Sequence, residues 1–250
     1  MSFGEGLHGV MANCGAAVGE PDEFGARTGC PTSYPSGIAE GATFNKSLWL
    51  AVGAADGREG RALHNQPAAG SNVSGALSGN GLASIAFWAP DMNLFRDPRW
   101  GRGQEVPGED PVLTSEYVKH FSQGLMYGDT NHVDVDPDHI QILSTCKHFL
   151  GYDIETGRAG NDVNISSRML TEYYLPVFKT CIQVAKVKSM MCSCEHPQKK
   201  KQPRPSFALI APAHPEVACD FADNAVNGDH QHFAPSFCRF ESISILSPER

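Results

Sequence analysis

Two stretches of this chain concentrate groups able to do chemistry. Residues 98–111, PRWGRGQEVPGEDP, set Arg99 and Arg102 beside Glu105, Glu109 and Asp110, with three glycines and three prolines between them. That glycine and proline content predicts a loop rather than a helix or strand. Residues 145–149, TCKHF, put Lys147 and His148 next to each other at the end of an apolar run. A lysine, a histidine and an arginine around one pocket suit a ligand rich in hydroxyls or anionic oxygens. Trp88, at the end of a second apolar run (84–90, SIAFWAP), offers a flat face of the kind a sugar ring packs against. Phosphate is the competing ligand, but no glycine-rich loop follows a strand in P-loop or dinucleotide form.

Each of these residues also has a purely structural reading. A tryptophan such as Trp88 is commonly a core residue. Lys147 and His148 face opposite sides if the strand is strictly regular, so one of them could be a satisfied core group. Arg99 and Arg102 could be ion-paired to Glu105, Glu109 or Asp110, which would make the loop a brace. The brace is the favoured reading for most of those carboxylates.

The elements that would position these groups alternate. A helical pattern runs from Leu48 to Asn65 behind Asn45 or Ser47 as N-cap. Residues 84–90 predict a short buried strand. Asp110 caps a helix with Pro111 at its first position, and Leu113, Tyr117, Phe121 and Leu125 line one face of it. Residues 140–149 predict a strand, 167–186 an amphipathic helix kinked at Pro176, and 187–193 another strand. Strands alternating with helices imply a parallel sheet, open or closed into a barrel. In either case ligands are expected at the C-terminal ends of the strands.

Composition bounds the rest. The 250 residues are 41% hydrophobic, enough for a sizeable core, and carry a net charge of −8, which argues against nucleic acid or an anionic membrane as partner. No apolar run approaches the roughly 18–20 residues needed to span a bilayer. Residues 1–10 lack the basic and apolar regions of a signal peptide. Eight cysteines and three N-x-S sequons, at Asn45, Asn72 and Asn164, suit a secreted glycoprotein instead. Residues 1–194 hold 24 of the 25 glycines, while 195–250 hold only Gly228 but 7 of the 17 prolines. A boundary is therefore expected near Cys194, and residues 197–205, PQKKKQPRP, read as disordered. Cys192, Cys194, His196, Cys219, His230 and His232 match no standard zinc spacing, so no metal is expected.

Seven blocks together carry a resemblance: GEGLHGV (4–10), SYPSGIAEGATF (33–44), EGRALHN (59–65), FWAPDMNLFRDPRWGRGQEVPGEDP (87–111), TCKHFLGYD (145–153), LTEYYLPVFKTC (170–181) and SMMCS (189–193). In these the chain resembles the N-terminal domain of glycoside hydrolase family 3, and most closely its fungal and plant β-xylosidase branch. The resemblance implies a fold class of α/β: an incomplete (β/α)8 TIM-type barrel over residues 1–194, followed by a poorly ordered tail over 195–250. It implies one sugar-binding subsite. Arg102, Lys147 and His148 would donate to hydroxyls of a terminal sugar, Arg158 would be a second binding arginine, Glu5 a hydroxyl acceptor, and Trp88 an aromatic wall. No cofactor is implied. The implied ligand is a xylo-oligosaccharide or another β-linked sugar, and the implied location of a full-length member is extracellular.

The resemblance fails where the chemistry should be. The family retains configuration through an aspartate nucleophile in an S-D-x-x-A/G motif and a second carboxyl as acid and base. After residue 193 this chain reads CEHPQKKKQPRP, and a NAVNG sequence comes late, at 224–228, with no such motif after it. No catalytic residue is therefore assigned. The expectation is a fragment: residues 195–223 a retained intron or mis-spliced segment, a shifted frame after Gly228, and Met1 internal to a longer protein. A β-glucosidase or α-L-arabinofuranosidase of the same family, or an inactive carbohydrate-binding remnant, are the alternatives.

Overall fold

The computed structural model describes residues 4–11, 31–65, 84–129, 139–158 and 162–193, with the backbone of 196–197, 217–219 and 237–240. The Asn72 sequon, Cys194, His230, His232, most of PQKKKQPRP and the NAVNG segment lie outside the described residues.

Two consecutive β-α-β units form the centre. Strands β1 (Ala86–Phe87), β2 (Leu143–Phe149) and β4 (Ser189–Cys192) pair in parallel, with Ala86 opposite Leu143 and Thr145 opposite Ser189. Helix α3 (Pro111–Tyr127) connects β1 to β2. Helix α4 connects β2 to β4; it is α-helical over Ser167–Met169 and Leu175–Lys179 and π-wound over Leu170–Tyr174 and Thr180–Val184. The first π stretch ends where Pro176 begins, because proline lacks the N–H that a regular turn needs there. The kink expected at Pro176 thus takes the form of a widened turn. Short strand β3 (Asp162–Val163) lies in the loop after β2 and pairs with β5 (His196–Pro197).

Ahead of the sheet come α1 (Gly37–Gly41) and α2 (Lys46–Asn65). Asn45 caps α2, its Oδ1 accepting from Leu48 N at 3.1 Å. Asp110 caps α3, accepting from Val112 and Leu113 N–H groups with Pro111 behind it. Both caps follow the sequence pattern. α2 and α3 pack with their backbones nearly touching: a Cβ on Gly53 would lie 2.3 Å from Phe121 O, and one on Gly124 2.3 Å from Leu50 O. Only glycine permits that approach.

The apolar core divides in two. Trp49, Val52, Phe87, Tyr117, Phe121, Leu125 and Ile142 join α2 and α3 to β1 and β2. Met92, Val118, Cys146, Val177, Phe178, Cys181 and Met190 join α3 and α4 to β2 and β4. A disulfide between Cys146 and Cys181 ties β2 to α4 inside this second cluster. Closing a 35-residue separation contributes about 3–4 kcal/mol on the loop-entropy account.

Two expectations change. The strand over 84–90 narrows to Ala86–Phe87, because residues 88–92 continue beside β2 through single bonds rather than a regular ladder. The described residues of the tail, expected to stay outside the fold, contribute three strands: β5 beside β3, β7 (Phe237–Phe240) antiparallel to β4, and β6 (Val217–Cys219) antiparallel to β7. Backbone pairing therefore crosses the boundary near Cys194, since an open edge of β4 presents unsatisfied N–H and C=O groups.

Candidate functional site

The site forms where the chain leaving β1 runs beside the end of β2. Thr145 N donates to Ala89 O, Lys147 N to Pro90 O, and Met92 N to Lys147 O, which sets Asp91 opposite Lys147. The β2–β4 register then slips: Cys146 pairs with Met190 but Phe149 with Cys192, so β2 carries one extra residue. A bulge of this kind re-aims side chains. This answers the strand objection, because Lys147 and His148 do not take strictly opposite sides. Both approach Asp91.

Asp91 is buried and lies between cations. Its Oδ2 is 3.7 Å from Arg102 Nη2 and 3.5 Å from His148 Nδ1, and its Oδ1 accepts from Asn93 N at 3.1 Å. Burial pushes its pKa up to about 7, against the lowering influence of Lys147 and Arg102. Lys147 is buried, with its ammonium 2.9 Å from Glu5 Oε2. Glu5 reaches the site because Gly4 bridges to Phe87 at the far side of β1. Burial, then the charges of Lys147, Arg102 and Arg158, hold the His148 imidazole well below its ordinary pKa, so the ring is neutral at neutral pH.

The loop 98–111 delivers Arg102. A small apolar cluster of Trp100, Val106 and Tyr152 with Phe95 anchors it, and Gly103 sits so close to the Phe95 ring that a Cβ would be 2.1 Å from it. Arg102 then grips Glu105 through two bonds, Nε to Oε1 at 2.7 Å and Nη2 to Oε2 at 2.5 Å, and lies over the Tyr152 ring at 5.4 Å. The brace reading holds for Glu105, which pairs with Arg102; Asp110 instead caps α3, and Arg99 is held by Asp97 rather than by a carboxylate of the loop.

Of the residues singled out from the sequence, Glu5, Arg102, Lys147 and His148 come together. Arg158 joins through Tyr152, whose hydroxyl lies 3.3 Å from Arg158 Nη1 and 3.4 Å from Arg102 Nη1 and donates to Glu155. Trp88 is half-buried, and its backbone N–H donates to the backbone oxygen of Gly4, the neighbour of Glu5, at 2.8 Å. Sequence reasoning missed Asp91, Asn93 and Tyr152. The first two had a signal, since polar residues interrupt the apolar run FWAPDMNLF at alternate positions. No cluster of three His, Cys, Asp or Glu fit to hold a metal ion is found among the described residues.

The arrangement is a polar cluster of two basic groups, a neutral imidazole and their carboxylates at the C-terminal end of a parallel strand. The sequence model of the glycosyl hydrolase family 3 N terminal domain matches residues 24–213. The chain belongs to that family. It is 41% identical over 195 residues to the "Probable exo-1,4-beta-xylosidase" of Aspergillus terreus, a match covering 76% of this chain and 22% of that protein. Among solved structures it resembles a family 3 exo-beta-xylosidase in complex with a xylobiose aziridine activity-based probe, with TM-score 0.59, 37% identity and coverage of 78% of this chain and 22% of the other. Beta-glucosidase 3B from Thermotoga neapolitana in complex with glucose also matches, with TM-score 0.57, 28% identity and coverage of 77% and 22%. The chain thus spans about a fifth of the length of these relatives.

Proposed function

We propose that the described residues are the sugar-binding wall of an exo-acting β-xylosidase-like hydrolase that removes terminal xylose from β-1,4-xylo-oligosaccharides. The observation that carries this reading is the convergence of Glu5, Lys147, His148 and Arg102 around the buried Asp91. Charged donors backed by carboxylates at a strand end match the needs of a ligand covered in hydroxyls. Arg158 and Trp88 extend the same wall. The parallel β-α-β units are read as one part of a (β/α)8 barrel, with residues 1–194 belonging to it.

The carboxylates near the site are engaged with cations, so this wall binds rather than cleaves. The nucleophile and acid/base of a retaining mechanism, normally roughly 5–5.5 Å apart, are not assigned to this chain. The Cys146–Cys181 disulfide supports an oxidising, extracellular setting for the full-length protein. Among the described residues, no helix is long and apolar enough to cross a membrane.

Calorimetric titration of the chain with xylose and with glucose tests the reading. Saturable binding that favours xylose and disappears in Arg102→Ala is expected, with no release of p-nitrophenol from the β-xyloside. Folded chain that binds neither sugar would defeat the proposal, and preference for glucose would move it to the β-glucosidase branch.

A further inference from the structure

Asn93 makes three contacts with His148, and together they determine where the imidazole proton lies. Asn93 Nδ2 is 2.9 Å from the His148 carbonyl oxygen, which can only accept, so that amide atom is the nitrogen. The His148 backbone N–H, which can only donate, points at the other amide atom 3.0 Å away, so that atom is the oxygen. The same Asn93 Oδ1 lies 3.0 Å from His148 Nδ1. An amide oxygen carries no hydrogen. The bond at Nδ1 therefore requires the proton to sit on Nδ1. Asp91 Oδ2 lies 3.5 Å from the same nitrogen, and when ionised it favours the same arrangement.

We infer that Asn93 is a positioning residue that locks His148 in its neutral Nδ1–H tautomer, so that Nε2 meets a sugar hydroxyl as a hydrogen-bond acceptor and not as a donor. This reverses the role expected for His148 from the sequence. Burial and the positive charges of Lys147, Arg102 and Arg158 keep the ring from taking a second proton. The site then offers complementary partners to a hydroxyl: Nε2 takes its proton, while the Lys147 ammonium or the Arg102 guanidinium, which carry only donors, supply one to its lone pair. A group lacking the hydroxyl proton, such as a methyl ether, would leave Nε2 without a partner. The identity of the ligand as a sugar rests on the function proposed above; the tautomer does not.

Nitrogen-15 spectra of the histidine-labelled 250-residue chain separate the two claims. His148 is assigned by the signal lost in His148→Gln. The free protein should show a protonated Nδ1 and a lone-pair Nε2 between pH 6 and 8. A protonated Nε2 overturns the inference. Asn93→Ala should let the Nε2–H form appear and weaken xylose binding about tenfold, the loss of one modest hydrogen bond. Asn93→Asp, nearly the same shape, should place a carboxylate at Nδ1 and make the ring doubly protonated near neutral pH. An unchanged His148 spectrum in both folded variants assigns Asn93 no positioning role. Added xylose should shift Nε2. If xylose binds by calorimetry and Nε2 does not move, the acceptor role falls. If the tautomer is as stated but xylose does not bind, the sugar reading fails and the acceptor role falls with it.

Discussion

Asp91 and Asp56 are both aspartates with essentially no exposed surface, yet their surroundings are opposite. Asp91 has Arg102 and His148 within 3.7 Å and an accepted bond from Asn93 N. Asp56, on α2, has no hydrogen-bond partner for either oxygen, and its charged neighbours are the acidic Glu59 and Glu40. Glu40 is buried nearby; one of its oxygens accepts from Tyr117 at 2.8 Å and the other has no partner. Burial pushes all three carboxyls up, Asp91 and Glu40 to about 7 and Asp56 well above its ordinary range. Burial alone therefore does not mark a site. What separates the regions is that cations converge on Asp91, which can orient a ligand, while the Glu40–Asp56 region holds protons and little else.

Removing Arg102 breaks this contrast most severely. Arg102→Ala leaves Asp91 buried without its guanidinium and should cost about 3 kcal/mol in urea unfolding, with xylose binding lost. Adding Asp91→Asn should recover part of the stability and none of the binding. The opposite result is expected at the other region. Asp56→Ala removes an unpartnered buried carboxyl from a helix and should stabilise the fold by about 2 kcal/mol at pH 8, with a smaller gain at pH 5, where keeping a proton on the buried acid of the parent protein costs less.

The pH dependence sharpens the same point. Carboxyls whose folded pKa lies above the unfolded value keep protons that the unfolded chain releases. Their stabilising contribution is complete below about pH 4 and is lost as pH rises through about 7. His148, with its pKa depressed, acts in the other direction and costs stability below about pH 6.5. Four carboxyls, with Asp153 also raised by burial, oppose one imidazole, so the thermal midpoint should be higher at pH 5 than at pH 8. Glu40→Gln should narrow that gap; an unchanged gap would show that Glu40 is ionised in the fold. Tyr117→Phe should cost about 1 kcal/mol by removing the hydroxyl that donates to the Glu40 carboxyl, without altering xylose binding. The smallest effect belongs to Arg99→Ala. Its bonds to Asp97 lie in solvent, so neither stability nor binding should change measurably.

Much of the frame was legible in local sequence. Asn45 and Asp110 as caps, Pro111 behind the second cap, and the face of Leu113, Tyr117, Phe121 and Leu125 each depend on neighbours within one helix. The strand expected at 140–149 and the one at 187–193 appear as β2 and β4 because their apolar runs are long enough to be read without tertiary context. Residues 88–92 were harder, since their bonding to β2 crosses more than 50 residues of chain. Four site residues, Glu5, Arg102, Lys147 and His148, could be named because their motif blocks are distinctive. Asp91 carried a weaker signal, its alternation with Asn93 in an apolar run, and only the fold shows which cations face it.

By itself the sequence determined the alternation of strand and helix, the caps, the loop that carries Arg102 and the family to which the chain belongs. These follow from short-range pattern and motif. Only the tertiary structure decided that one extra residue in β2 brings Lys147 and His148 to the same carboxylate, and that Asn93 dictates which nitrogen of His148 holds the proton. Those outcomes depend on register between segments distant along the chain, and on angles within a few ångströms of buried space, which no residue order specifies alone.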